Sequence, residues 1–250
     1  MPRVFAGYSE IHTIDGEVVE RRRDTRFYLG EQDQRISRAF GECIGAFYLQ
    51  NPGSAASLMG RRRDRQGLTS RPWGPLCFAD EALLPALEAV LAEAIARVRR
   101  RSRMRADELC QTGYVQILNL SYIRNPADAK QPCLEWRRLV RARRVQDDSP
   151  PGEVRFVVFG WGNAYRRVED GPRVLKVLQR CVGPRTSLVF PEGSQVRNGW
   201  AVDVVAGCSG TLADELSRKA NYPCGGQHER RTYPALYARA VGPVIARSLL

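Results

Sequence analysis

Two hundred and fifty residues, 43% of them hydrophobic, are enough to bury a full core, which excludes a largely disordered chain. Thirty-nine basic side chains against 27 acidic ones give a formal charge of +12, and all but Lys130, Lys176 and Lys219 of the basic residues are arginine. The expected partner is a polyanion, and the planar guanidinium fork suits phosphates and bases better than an ammonium does. No run approaches the roughly 18–20 apolar residues of a membrane span, and MPRVFAGYSEIHTID lacks a signal-peptide core, so a soluble, cytoplasmic protein without membrane contact is expected. Seven scattered cysteines predict reduced thiols rather than a disulfide framework.

In chain order, VFAGY, a turn at Asp15-Gly16 and RFYL at 26–29 predict β structure. Ile36, Phe40, Ile44 and Phe47 recur at spacings of four, four and three before Asn51-Pro52-Gly53, which predicts a helix over 33–50. Residues 51–75, rich in Gly, Pro, Ser and Arg without periodicity, predict a loop or arm. Leu84, Leu87, Leu91, Ile95 and Val98 form the strongest helical stripe, with Glu81, Glu88 and Glu93 ahead of the arginines at 97–105, as the helix dipole favours. YVQILNLSYI predicts a strand, LEWRRLVRARRV a partly helical basic run, and residues 147–152 (DDSPPG) the best domain boundary.

Beyond that boundary VRFVVFG reads as a strand, and Gly171-Pro172 opens a helix that Gly183 closes. SLVF and WAVDVV form a hairpin. Thr211 and Asp214 cap a helix through Ala220, Tyr222 begins a short strand, and Tyr233 a last helix. The order β-α-β-β-α-β is that of a ferredoxin-like unit, and 187–205 is too short for the helix a Rossmann crossover needs. The expected fold is therefore α+β, with tandem ferredoxin-like (RRM-like) units. Residues 1–150 would form an N-terminal domain with an arginine-rich helical insertion at about 51–110, and residues 151–250 the second unit.

Four arginine clusters carry the functional signal: Arg21 to Arg23, Arg61 to Arg65, Arg97 to Arg105 and Arg137 to Arg144. Like charges repel unless a partner neutralises them, so RNA contacts are expected from Arg61, Arg62, Arg63, Arg65, Arg97, Arg99, Arg100, Arg101, Arg103, Arg137, Arg138 and Arg141. Imidazole chemistry would have to use His12 or His228, the two histidines of the chain. Cys224 and His228 have the spacing of a zinc half-site to which Cys208 could add, but a fourth ligand is missing, so a Gly-Gly turn is the preferred reading and neither metal nor cofactor is expected. Gly160-Trp161-Gly162 follows a strand without the remaining residues of a phosphate-binding loop and fits a turn with an aromatic for base stacking.

Two ferredoxin-like halves, an arginine-rich helical insertion, little lysine and a basic balance resemble the CRISPR RNA-processing endoribonucleases, especially the kind found in type IV systems. The resemblance implies metal-independent cleavage of a repeat RNA beside a hairpin, by attack of the 2′-hydroxyl on the adjacent phosphate, with the product retained. The partner would be a structured repeat RNA, with other ribonucleoprotein subunits alongside. Arg23, at the end of the hairpin, and Arg38 are the candidates by position for charge on the phosphorane, with His12 as the imidazole alternative. A non-enzymatic reading stands beside it: an RNA-packaging or ribonucleoprotein structural subunit, such as a viral coat or an effector-complex backbone.

Overall fold

The computed structural model describes residues 3–50, 52, 56–65, 67–77, 83–124, 130–162, 165–193, 200–206, 216 and 233–250. Its strands are β1 (Val4–His12), β2 (Val18–Tyr28), β3 (Glu42–Leu49), β4 (Ala56–Ser57), β5 (Arg62–Arg63), β6 (Thr69–Cys77), β7 (Gly113–Asn119), β8 (Phe156–Gly160), β9 (Ser187–Gly193) and β10 (Trp200–Ala206). The helices are α1 (Leu83–Arg101), α2 (Arg103–Thr112), α3 (Lys130–Arg141), α4 (Arg167–Leu178) and α5 (Tyr233–Leu249). All ten strands join one mixed sheet in the order β10-β9-β8-β3-β7-β2-β1-β6-β4, with β5 also on β6. The pairs β9–β8, β8–β3 and β3–β7 are parallel and the others antiparallel.

Both faces of the sheet are covered. Val4, Phe27, Phe47, Ile117 and Val158 pack with the apolar stripes of α1, α2 and α5. Phe5, Tyr48, Leu118, Phe159 and Leu188 pack on the opposite face with Val174 and Leu178 of α4. A smaller cluster of Tyr122, Ile123, Trp136 and Leu139 seats α3.

The helix expected over 33–50 is instead a turn followed by the central strand β3. The register of β3 on β7 shifts between Cys43 and Gly45, so Ile44 and Phe47, three apart, lie on one face as they would in a helix. A β-bulge here imitates helical spacing. Gly45 is required at that point, because a Cβ would overlap the ring of Phe156 on the neighbouring strand.

The arm expected over 51–75 also carries strands. β6 tolerates Pro72 and Pro75 because short strands and a bulge, rather than a full ladder, border it. The expected insertion at about 51–110 is thus β4, β5 and β6 followed by α1 and α2.

Strands on both sides of residues 147–152 share the sheet, through the parallel pairing of β3 with β8. The β9–β10 hairpin forms as expected, with Trp200 opposite Gly193. The unit β8-α4-β9 departs from the ferredoxin-like order: β8 pairs directly with β9, whereas a split unit holds a strand between its parallel pair. The local pattern β-α-β-β is common to both arrangements. Which edge of β9 takes the hairpin partner is not set by that local pattern: here β10 lies on one edge of β9 and β8 on the other. The capping-box helix through Ala220 and the strand from Tyr222 lie outside the described residues.

Candidate nucleic-acid interface

Two bulges flank β1 at the same level. On the β2 side Phe5 faces Arg26 and Gly7 faces Arg23, so Asp24 and Thr25 together oppose Ala6. On the β6 side Ala6 faces Gly74 and Tyr8 faces Arg71, so Pro72 and Trp73 together oppose Gly7. Bulges bend strands and re-aim side chains, and this pair turns residues distant in sequence toward one cleft.

Asp24 absorbs the distortion with a left-handed φ of 47°. A short polar side chain tolerates this region better than most, and here every polar group of the residue is engaged. Its amide donates to Asp148 Oδ2 at 2.5 Å, and its carbonyl accepts from Trp73 Nε1 at 3.0 Å, which ties the two bulges together. Its carboxylate accepts from Arg26 Nε at 3.0 Å, from Arg38 Nε and, at 3.4 Å, from Gln116 Nε2. Burial, with the neighbouring Asp24 charge, pushes the Asp148 carboxyl up to about 6 against the opposing pull of the Asp24 amide, Arg21 and Arg23.

The cleft that results holds about 210 Å³ and is lined by Tyr8, Arg23, Asp24, Arg38, Arg62, Ser70, Arg71 and Trp73. Trp73 stacks on Phe5 at 5.0 Å, and the Arg26 guanidinium lies 5.5 Å from its ring centre, so the indole is a fixed wall. Arg71 donates to the Ser57 carbonyl at 2.8 Å. The guanidinium groups of Arg23 and Arg62 have no ion pair among the described residues. With Asp24 shared by Arg26 and Arg38, the cleft keeps a surplus of positive charge and can accept phosphate oxygens.

Of the residues singled out from sequence, Arg23, Arg38 and Arg62 are brought together here. Arg61, Arg63 and Arg65 are exposed on the adjoining β5–β6 turn, where Glu10 accepts from the Thr69 amide at 2.6 Å. His12 is not in the cleft. It is exposed at the end of β1 with Nδ1 3.3 Å from the Gly16 carbonyl, five residues and about 16 Å along the strand from Gly7. Arg97, Arg100 and Arg101 line a separate cleft between α1 and α5; Arg99 and Arg103 lie near Asp107 at 3.3 and 3.8 Å.

The third basic run divides. Arg137 is buried, gripping Asp170 with Nε and Nη2 at 2.8 and 2.6 Å and also pairing with Glu169, so it is an internal tie between α3 and α4 rather than a surface contact for RNA. Arg138 pairs with Asp15 at 2.7 Å and Glu135 at 2.9 Å, while Arg141 is exposed without an ion pair among the described residues. Sequence reading missed Tyr8, Arg71 and Trp73. The Arg71-Pro72-Trp73 triplet carries a signal, since proline inside a strand marks an edge or a bulge.

No protein-family profile matches the chain, and neither a curated protein nor a solved structure does. Among the described residues no group of three or more His, Cys, Asp or Glu side chains could hold a metal ion. Cys208, Cys224 and His228 lie outside the described residues. No helix among the described residues is long and apolar enough to cross a membrane.

Proposed function

We propose that the protein binds RNA, with a backbone phosphate held in the bulge cleft by Arg23 and Arg62 and the exposed arginines of the β5–β6 turn extending the contact. The observation that carries this reading is the convergence of those two guanidinium groups, 39 positions apart in sequence, on one cleft without ion-pair partners among the described residues. Binding dominated by phosphate contacts falls with salt, by about 0.7–0.9 in log K per log unit for each phosphate neutralised. Titrating a labelled hairpin RNA across a salt series tests it; an affinity indifferent to salt refutes it.

Cleavage in the same cleft is the second reading, favoured by Arg23 and Arg38 lining one site beside a strained backbone. As the resemblance to CRISPR RNA-processing endoribonucleases implies, the 2′-hydroxyl of the bound RNA would attack the adjacent phosphate without a metal. The arginines would stabilise the phosphorane, leaving a 2′,3′-cyclic phosphate and a 5′-hydroxyl. No imidazole lines the described cleft, so cleavage would be slow and would lean on positioning and charge. Single-turnover incubation of repeat-hairpin RNA with EDTA, followed by end analysis, separates the readings. A defined cyclic-phosphate end supports the enzyme, and protection without new ends supports the packaging or ribonucleoprotein subunit.

A further inference from the structure

A second arginine cleft, of about 260 Å³, lies where the C-terminal ends of α1 and α5 run side by side. The approach is closest at Gly242, where a Cβ would overlap Cβ and Cγ of Glu93. The same crossing sets Arg97, Arg100 and Arg101 of α1 against Arg247 of α5, over a floor that includes Pro243 and Ala246.

Arginines at helix ends can serve the last carbonyls, and two of those carbonyls are taken here by other residues. The Leu249 carbonyl accepts from Arg155 Nη1 at 3.2 Å and Arg105 Nε at 3.4 Å, and the Val98 carbonyl accepts from the Ser102 amide at 2.8 Å. Arg97 is paired with Glu93 at 2.6 Å, whereas Arg100, Arg101 and Arg247 have no ion pair among the described residues. Arg97 is neutralised by Glu93, and the other three guanidinium groups, offset by the terminal carboxylate of Leu250 at the rim and about half a charge from each helix end, leave a balance of about one positive charge with three unpaired donor forks. An internal phosphodiester has two unesterified oxygens, whereas a terminal phosphate monoester offers three acceptor oxygens, one for each unpaired guanidinium group.

The geometry points to this cleft as a site for a phosphate monoester, separate from the bulge cleft and filled by the phosphorylated end of an RNA or by a free nucleotide. The RNA source rests on the proposed RNA binding; the monoester chemistry does not. The test measures affinities for one short RNA with a 5′-phosphate, a 3′-phosphate or hydroxyl ends, and for adenosine monophosphate against adenosine. The protein is compared with Arg247→Ala, the double variant Arg100→Ala/Arg101→Ala, and Arg103→Ala as a charge-loss control outside the cleft.

We expect about a tenfold preference for a phosphorylated form, erased in the first two variants and kept in Arg103→Ala. If RNA fails to bind but adenosine monophosphate is preferred over adenosine in the same Arg247-dependent way, the RNA reading falls and the monoester site stands. Equal affinity for phosphorylated and unphosphorylated probes overturns the site, as does a preference that Arg103→Ala reduces as much as Arg247→Ala.

Discussion

At the contact of α3 with α4, Arg137 and Arg173 close on buried carboxylates, whereas at the bulge cleft Arg23 and Arg62 face open space. Arg173 donates to Asp147 at 2.8 Å and Asp170 at 2.9 Å, Trp136 adds a bond to Asp147 at 2.8 Å, and Asp170 is wholly buried. Burial alone would raise the Asp170 carboxyl, but hydrogen bonds and charge from Arg137 and Arg173 hold it below the usual range. In sequence Arg23 and Arg137 each stand in a basic run and are indistinguishable. Function follows from which arginine has spent its donors internally, and that depends on acids brought in from distant elements.

The largest expected effect breaks the first of these regions. Asp170→Asn leaves two guanidinium groups poorly compensated in the interior, and unfolding in urea should show a loss of about 3–5 kcal/mol. RNA affinity of the protein that remains folded should be unchanged. A loss under about 1 kcal/mol would show that water already solvates the network and that the contrast with the cleft is false.

Next in size is the carboxyl that anchors the cleft. Because Asp148 is raised to about 6 from an ordinary 3.8, the folded protein holds its proton more tightly than the unfolded chain does. The stabilisation from that proton is complete below about pH 4 and is lost as pH rises through 6, at most about 3 kcal/mol. Asp148→Asn keeps an acceptor oxygen for the Asp24 amide and removes the titration. The variant should therefore gain stability over the wild type progressively between pH 4 and 7 in parallel denaturation curves. A constant difference across that range would mean that Asp148 titrates normally.

How much of this was legible beforehand depended on whether the determining contacts were local. The stripe of Leu84, Leu87, Leu91, Ile95 and Val98 gave α1 correctly, since a helix is set by neighbours three and four residues away, and the β9–β10 hairpin was read for the same reason. β3 was misread because a bulge against β7 placed Ile44 and Phe47 on one face, and the partner that imposes it is some 70 residues downstream. Arg23 and Arg38 were singled out by position alone. Their convergence on one cleft, and the Trp73 wall, exist because β1 is bulged on both edges, of which Pro72 is the one local sign.

In the open region the expected losses are in binding. Arg23→Ala and Arg62→Ala should each weaken hairpin RNA binding about tenfold and flatten the salt dependence by about 0.7–0.9, with stability within about 0.5 kcal/mol of the wild type. Thermal melts beside the titrations check both halves of that statement. Unaltered affinity in the double variant would make these arginines an ordinary solvated surface and erase the distinction from Arg141.

The smallest expected effect is that of His12→Ala. The imidazole is exposed, makes one local contact to the Gly16 carbonyl and sits about 16 Å along β1 from the bulges, beyond hydrogen-bond reach of any phosphate in the cleft. Its removal should shift stability by no more than about 0.5 kcal/mol and leave RNA affinity and any single-turnover cleavage at the wild-type level. If cleavage occurs and the variant loses it, proton transfer reaches the scissile bond from the far end of the hairpin. The phosphate would then have to lie along β1 rather than in the cleft, and Arg23 and Arg62 would be contacts flanking the reaction instead of its centre.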